Sequence, residues 1–212
     1  MVLITDNGSD RPEKLSQYFS EKQLRVGLIH FDDPPKNPEK SSDEGVTHYY
    51  ISKPVDGEVQ ACMDTLIQET KDISAFIHLS PISKDKGSEL ISLSESNSRI
   101  LKTVFLIARH LGKPLSNSAK DGHSAFLTIT NMDGQLGLDG YQSHDPISGG
   151  YAGLTKSLRL EWPAVFCRSI DVHPDIDTKT FVDIINSEMH DPDSSLAEVG
   201  YTSNGRYTLS AT

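Results

Sequence analysis

One continuous segment, residues 149–174, constrains the fold more than any other part of the chain. Its apolar residues recur at helical spacing, which predicts a helix with one apolar face formed by Tyr151, Leu154, Leu158 and Trp162. Pro163 is expected to end this helix, because proline has no backbone N–H to donate. Residues 165–172 follow as a short, partly alternating apolar strand with Asp171 near its end. A helix that stops abruptly before a buried strand is half of the crossover unit that connects parallel strands.

Short apolar segments alternate with helical patterns along the rest of the chain. The strand pattern occurs over residues 2–4, 24–31, 46–51, 73–79 and 124–130, and the helical pattern over 11–22, 57–71, 90–111 and 178–189. The helix over 90–111 is expected to be capped by Gly112, with Pro114 preventing its continuation. The strand over 46–51 is expected near a sheet edge because of its mixed character. This alternation predicts an α/β domain built on a doubly wound, mostly parallel sheet.

The C-terminal residues depart from this alternation. Residues 198–209 predict two short strands around Asn204-Gly205, a pair that favours a tight hairpin turn. We therefore expect one domain over residues 1–197, followed over residues 198–212 by a hairpin or a connection to a further segment. The remaining polar stretches, 32–44, 83–88 and 131–147, are predicted to be loops.

The chain has 212 residues and a formal net charge of −10, and this length suits a single α/β domain. The acidic balance argues against sequence-independent binding to nucleic acid or to an anionic membrane. No apolar run approaches the roughly 20 residues that a membrane span needs, and the N-terminus lacks a leader pattern, so a cytoplasmic protein is expected. Cys62 and Cys167 have no metal-like spacing and are expected to be small buried hydrophobic residues.

The first strand-to-helix turn is where such a sheet would hold the phosphates of a dinucleotide. That role requires glycines, because the backbone must approach the pyrophosphate closely. The turn is Thr5-Asp6-Asn7-Gly8-Ser9-Asp10, with one glycine and two carboxylates that would repel a phosphate. It is better suited to be an ordinary turn in which Asp10 caps the following helix.

Several segments resemble one known family. Residues 149–174, Glu198-Val199 and the ending at 204–209 are similar to short-chain dehydrogenase/reductases, and more similar still to the ketoreductase regions of polyketide and polyunsaturated fatty acid synthases. Residues 76–79 and 130–134 lie where that family's fourth and fifth strands would lie. Such regions contain a catalytic half and a truncated half called structural, and the chain resembles the structural half. The resemblance implies a truncated Rossmann-like α/β fold.

The resemblance also implies where the catalytic residues would be. Active relatives have a tyrosine nine residues before the glycine of Gly-Leu-Thr and a lysine four residues after that tyrosine. Counted from Gly153, these places hold His144 and Ser148, which cannot supply the same proton donor and its activating lysine. The serine expected before the strand-five glycine is also missing, because residues 131–133 are Asn-Met-Asp. No residue is therefore predicted to be catalytic, cofactor-binding or metal-ligating.

Other residues of reactive type are better explained by structural roles. Tyr151 and Lys156 are five apart, so on a helix they diverge by about 140°. His144 beside Asp145 resembles a base with its orienting carboxylate, but Pro146 after them favours a surface loop. Paired carboxylates at Asp32-Asp33 and at Asp191 and Asp193 lack a third ligand at a set spacing and predict solvated loops. His78 is expected to be a hydrogen-bonded histidine in the interior or at a strand end, and Trp162 a packing anchor.

These observations predict the non-catalytic structural half of a synthase ketoreductase. Its partners would be the catalytic half, neighbouring domains of the same synthase and, indirectly, acyl carrier protein. NADPH would be bound by the catalytic half and no cofactor by this segment, so that the segment alone is expected not to be an enzyme. The docking surface is expected to include the C-terminal strands.

Two alternatives remain open from the sequence. A free-standing, active short-chain reductase with an atypical site would bind NADPH, and at a hundredfold excess over Kd this would stabilise it by about 2.7 kcal/mol. A flavodoxin-like regulatory module would need an acceptor aspartate at a strand end. Asp6 and Asp10 suggest its acidic pair, but neither residues 79–80 nor residues 130–131 supply the acceptor.

Overall fold

The computed structural model describes residues 1–33, 45–53, 55–70, 72–82, 95–140 and 144–209. Outside these ranges lie residues 34–44 of the loop predicted over 32–44, the loop predicted over 83–88, and residues 90–94 of the predicted long helix. Within the described ranges, no helix combines the length and the apolar character that crossing a membrane requires.

The described residues form one sheet of eight strands. These are β1 (Val2–Thr5), β2 (Val26–His30), β3 (Val46–Tyr50), β4 (Ala75–Leu79), β5 (Ala125–Thr130), β6 (Phe166–Val172), β7 (Glu198–Thr202) and β8 (Gly205–Thr208). Their order is β3-β2-β1-β4-β5-β6-β7-β8, and β3 is an edge strand as predicted. Every neighbouring pair is parallel except β7 and β8, which form an antiparallel hairpin.

This topology confirms the predicted α/β class, a Rossmann-like, mostly parallel sheet with a C-terminal hairpin. It also excludes the flavodoxin-like alternative. In that fold β1 lies between β2 and β3, whereas here β1 lies between β2 and β4.

Helices cover both faces of the sheet. They are α1 (Arg11–Glu21), α2 (Asp56–Glu69), α3 (Glu95–Asp121), α4 (Ile147–Glu161) and α5 (Thr178–Met189). On one face, Leu15 and Phe19 of α1 and Phe181 and Ile185 of α5 pack in the same buried cluster. On the other face, α2, α3 and α4 share a second cluster, to which α4 contributes its predicted apolar face. The core is thus two apolar layers separated by the sheet.

The predicted end of α3 is wrong. The helix passes through Gly112 and Pro114 and ends at Asp121. Gly112 leaves room for a neighbour instead of capping the helix, since a Cβ there would lie 2.9 Å from Trp162 Nε1. Pro114 removes one backbone hydrogen bond, but Leu111 and Leu115 beside it are fully buried, and this packing holds the helix together.

Replacing Gly112 with alanine is expected to lower the free energy of unfolding by about 1–2 kcal/mol, even though alanine favours helices. The added methyl group would collide with the Trp162 ring, which also packs edge-to-face on Phe126 at 5.7 Å. Gly153→Ala in α4 is the matched control, because nothing lies within 4 Å of a Cβ there. It should stabilise by about 0.5–1 kcal/mol. Urea unfolding measures both, and stabilisation by both substitutions would contradict the packing role of Gly112.

A buried ion network holds the C-terminal hairpin against α5. Arg168 of β6 is 0% exposed and donates to Glu188 and, at 2.7 Å, to Asp191. Arg206 of β8 binds the same two carboxylates, with its Nε 2.8 Å from Glu188 Oε1. Tyr201 of β7 also donates to Glu188. The hairpin therefore continues the main sheet and shares its core, while the division at residue 197 stays a prediction.

Candidate functional site

The direction of the crossovers reverses at β1, because β2 lies on one side of it and β4 on the other. In parallel sheets, ligands bind beyond the carboxyl ends of the strands at such a point. Here β1, β4 and β5 end at Thr5, Leu79 and Thr130. The candidate site is this edge of the sheet together with the loops that follow these strands.

The turn after β1 is closed by its own side chains. The Gly8 amide donates to Asp6 Oδ1 at 2.8 Å, the Ser9 amide to Asn7 Oδ1 at 3.2 Å, and the Arg11 amide to Ser9 Oγ at 3.2 Å. Asp10 lies at the N-cap of α1 but makes no side-chain capping bond, and it accepts a hydrogen bond from Thr178 instead. These three amides are paired within the turn, so a pyrophosphate would bind them only by displacing the side-chain oxygens of Asp6, Asn7 and Ser9.

A chain of three polar side chains, not predicted from the sequence, joins the ends of β1 and β2 to the middle of β3. Asp6 Oδ2 lies 2.8 Å from His30 Nδ1, and His30 Nε2 lies 2.9 Å from His48 Nδ1. The His30 hydrogen bond is the main cause that lowers the pKa of Asp6. The His30 ring also stacks on Tyr50, with centroids 4.8 Å apart. Only strand pairing brings these residues together, since His30 and His48 are 18 residues apart.

His78 is buried in the crevice between β1 and α4. Its Nδ1 lies 2.9 Å from Thr5 Oγ1, and its ring centroid lies 4.5 Å from that of Tyr151. His78 Nε2 and the Tyr151 hydroxyl are buried and have no hydrogen-bond partner among the residues that the structure describes. Burial lowers the pKa of His78 to about 3 and raises the pKa of Tyr151 well above its usual value. The histidine is thus an interior residue held by Thr5, in agreement with the sequence interpretation.

The loop after β5 is organised by two carboxyl groups. Asp171 accepts hydrogen bonds from Thr130 Oγ1 and from the amides of Met132 and Leu136. Burial and a hydrogen bond with Asp133 raise the pKa of Asp171. Although burial opposes ionisation of Asp133, the amides of residues 139, 137 and 135 lower its pKa to about 2. Together these bonds fix the course of residues 131–139.

Two glycines place this loop directly against β7. A Cβ on Gly134 would lie 2.1 Å from the Tyr201 carbonyl oxygen, and one on Gly200 would lie 2.2 Å from the Gly134 carbonyl oxygen. Gly134 also has a φ of 70°, in the left-handed region that favours glycine. The close approach of the two backbones fixes the loop at the carboxyl edge of β5 and β6.

The structure separates the His144 and Asp145 pair considered from the sequence. Asp145 Oδ1 accepts from the Ile147 amide, and its Oδ2 accepts from Asn97. His144 turns instead toward Asp133, with Nε2 3.7 Å from Asp133 Oδ2. Ser148, which stands where active relatives have the lysine, lies in the first turn of α4.

Tyr151 and Lys156 also point in different directions, as their spacing predicted. Tyr151 is 1% exposed and belongs to the core, whereas Lys156 is exposed and lies 3.1 Å from Glu198 on β7.

Asp191 takes part in the Arg168 network. The Asp193 amide and then Arg168 lower the pKa of Asp191 to about 2. Asp32 and Asp33 are exposed. Cys62 is half-buried and Cys167 buried, and burial raises their pKa values to about 11 and about 12, so neither is a ready nucleophile.

Sequence comparison relates the chain to one curated protein. No family model matches it. Over 111 residues, or 50% of the chain, it is 30% identical to a polyunsaturated fatty acid synthase polypeptide of Thraustochytrium sp.. The matched stretch is only 4% of that polypeptide's length, so the chain spans a small part of this relative.

The fold matches those of solved oxidoreductases. Sorbitol-6-phosphate 2-dehydrogenase of Erwinia amylovora superposes with a TM-score of 0.70 at 10% identity, over 93% of this chain and 96% of the other. A SCOR enzyme of Clostridium thermocellum gives 0.68 at 13% identity, over 91% and 86%. The 3-ketoacyl-(acyl-carrier-protein) reductase of Brucella melitensis, solved with NADH, gives 0.63 at 17% identity, over 82% and 74%.

These neighbours contradict the expectation that the segment alone is not an enzyme, because the proteins that share its architecture over most of their length are oxidoreductases. The expectation rested on His144, Ser148 and residues 131–133, which stand where active relatives have their catalytic residues. The structure has the same overall arrangement of sheet and helices as these neighbours over most of the chain. The chain therefore has the fold of these solved oxidoreductases, and half of it is similar in sequence to a small part of a polyunsaturated fatty acid synthase polypeptide.

Proposed function

We propose that the chain forms one half of the ketoreductase region of a cytoplasmic polyunsaturated fatty acid or polyketide synthase, and thus part of an NADPH-dependent oxidoreductase. In this role it supports reduction of β-ketoacyl groups that an acyl carrier protein delivers. The observation that carries the proposal is the sequence match to the synthase polypeptide. The fold shared with a 3-ketoacyl-(acyl-carrier-protein) reductase supports the same class of reaction.

The turn after β1 bears on where NADPH is held. Its amides are paired with Asp6, Asn7 and Ser9, and Asp6 brings a carboxylate to the place where a pyrophosphate would lie. We therefore assign NADPH to the adjoining half of the ketoreductase region and not to this turn.

The C-terminal strands are the proposed contact with the adjoining half. β8 is the last strand of the described sheet, and Leu209 directly after it is 51% exposed. The Arg168 network fixes β8 on α5, so this edge presents a rigid surface. Deleting residues 200–212 would also remove Gly200, Tyr201 and Arg206, which hold the fold, and a single substitution at Leu209 is therefore the sharper test.

A free-standing short-chain reductase is the second candidate. It is favoured by the extent of the structural match, because the chain covers 86% and 96% of two solved neighbours.

The two candidates differ in what the chain does alone. With NADPH and a β-ketoacyl thioester, the chain and the adjoining segment of its parent protein together are expected to consume NADPH faster than the sum of the separate segments.

Leu209→Ser should weaken the association of the two segments about tenfold, because burying a leucine contributes about 1.5–3 kcal/mol. Leu160→Ser is the control, since Leu160 is 85% exposed at the far end of α4. NADPH consumption at 340 nm and calorimetry measure the two effects.

An equal rate for the chain alone and for the pair, together with stabilisation of the chain by NADPH, would favour the free-standing reductase. If Leu209→Ser and Leu160→Ser weaken the association equally, Leu209 is not part of the docking surface. That result would contradict the docking surface but not the proposed activity of the two segments together.

A further inference from the structure

Three side chains that can bind a cation meet in the loop after β5. Ligand atoms of Asp133, Asp139 and His144 all lie within 4.8 Å of one another. The group is a mixed set of two carboxylates and one imidazole, which is a donor set typical of transition-metal sites. It lies at the carboxyl edge of the sheet, where parallel sheets bind their ligands.

The imidazole of His144 has a polar atom with no partner in the described part of the chain. Its Nε2 is buried and makes no hydrogen bond to the described residues, although the whole side chain keeps 16% exposure. The ring packs over Gly137, where a Cβ would lie 3.7 Å from its Cδ2. A buried donor or acceptor without a partner costs about 1–3 kcal/mol, so an orphaned nitrogen aimed at two carboxylates points to a ligand shared with them.

The separation of the two innermost donors fits a shared ion. His144 Nε2 and Asp133 Oδ2 are 3.7 Å apart, which is too long for a hydrogen bond. Zinc binds nitrogen and carboxylate oxygen at about 2.0–2.2 Å, so two ligands of one tetrahedral ion lie about 3.3–3.6 Å apart. A shift of a few tenths of an ångström brings both atoms to that spacing.

The loop holds the carboxylates in place before any ion arrives. Asp133 is 3% exposed, and its Oδ1 accepts from the amides of Gln135 and Gly137. The Asp139 amide donates to Asp133 Oδ2 at 3.0 Å, which places Asp139 beside Asp133. Bonds of this kind orient the carboxylate that ligates the ion.

We propose that Asp133, Asp139 and His144 form a binding site for a divalent transition-metal ion of the Zn²⁺ type, with a fourth position left for water. The nitrogen ligand favours Zn²⁺ over Mg²⁺, which prefers oxygen ligands and keeps its own waters. The site is independent of the proposed role in a synthase, because it concerns binding by this chain alone.

Zn²⁺ titration of the full chain against a competing chelator tests the site. His144→Gln and Asp139→Asn are each expected to weaken binding at least about tenfold. His48→Gln is the control for binding at the other histidine cluster, and it should leave this affinity unchanged. Asp133 is not substituted, because its bonds to the loop amides support the fold.

Mn²⁺ locates the site independently of any variant. Added at a low ratio to the parent chain, it is expected to broaden the amide resonances of Gln135, Gly137 and Asp139 before those near His30 and His48. Unchanged Zn²⁺ affinity in both variants, or broadening confined to other residues, would overturn the proposal. Far-UV circular dichroism of the two variants confirms that they are folded.

Discussion

Lowering the pH from 6.5 to about 3 is expected to remove about 4 kcal/mol of unfolding free energy through His78 alone. Burial lowers the pKa of this histidine to about 3, against 6.5 for the unfolded chain. In that window the unfolded chain binds a proton that the folded chain does not. Acidification therefore favours unfolding, by about 1.4 kcal/mol for each pH unit, and the effect is absent above pH 6.5.

The surroundings of His78 explain why the folded protein resists protonation. Thr5 from β1, Phe31 after β2 and Tyr151 from α4 face the ring, and none of them carries a charge that could stabilise an imidazolium. Thr5 is itself 0% exposed, so water does not replace the missing counter-charge.

Urea unfolding at several pH values between 4 and 6 measures the effect. The asparagine in His78→Asn keeps a polar atom for Thr5 but takes up no proton. The free energy of unfolding of this variant should therefore fall less steeply on acidification, and its slope should differ from that of the parent by about 1.4 kcal/mol per pH unit. Equal slopes for His78→Asn and the parent would show that His78 is not the group responsible.

Arg168→Met is expected to lower the free energy of unfolding by about 3–5 kcal/mol. The guanidinium is fully buried and pairs with Glu188 and Asp191, while its Nε donates to the Leu196 carbonyl oxygen at 3.1 Å. Methionine fills much of the space but leaves the nearly buried Glu188 carboxylate with Arg206 as its remaining cation. The cost arises from that poorly compensated charge and not from lost volume.

Arg109→Met is the matched control for this substitution. Arg109 pairs with Asp56 at 3.0 Å, but both side chains are more than half exposed. Exposed pairs contribute about 0–1 kcal/mol, so the control should scarcely change the unfolding midpoint. Similar losses for both arginine variants in urea would contradict the assignment of the network as the support of the hairpin.

The fold was predictable because its signals are local. The apolar spacing around Tyr151 and Leu158 and the stop at Pro163 predict α4, and Asn204-Gly205 predicts the hairpin. The end of α3 was not predictable in this way. Gly112 is required by contact with Trp162, 50 positions further along the chain, and no local pattern distinguishes that requirement from a helix cap.

The candidate site was predictable only in part. His78 and Tyr151 were recognised as interior residues, because His78 stands within an apolar strand pattern and Tyr151 belongs to the apolar face of a helix. The partners of Asp6 and His144 were not recognised, since His30 and Asp133 reach them through strand pairing and loop closure. The expectation that the segment is no enzyme was wrong for a related reason, because counted positions do not reveal how much of the reductase architecture surrounds them.

The sequence by itself determined the alternation of strands and helices, and hence the parallel sheet, because hydrophobic periodicity and the stop signals of proline and glycine act over a few residues. Only the tertiary structure decided which polar groups meet at the carboxyl edge of that sheet. Those contacts join residues far apart in the chain, such as Asp133 with Asp171 and His144, and their chemistry depends on burial and on distances of a few ångströms.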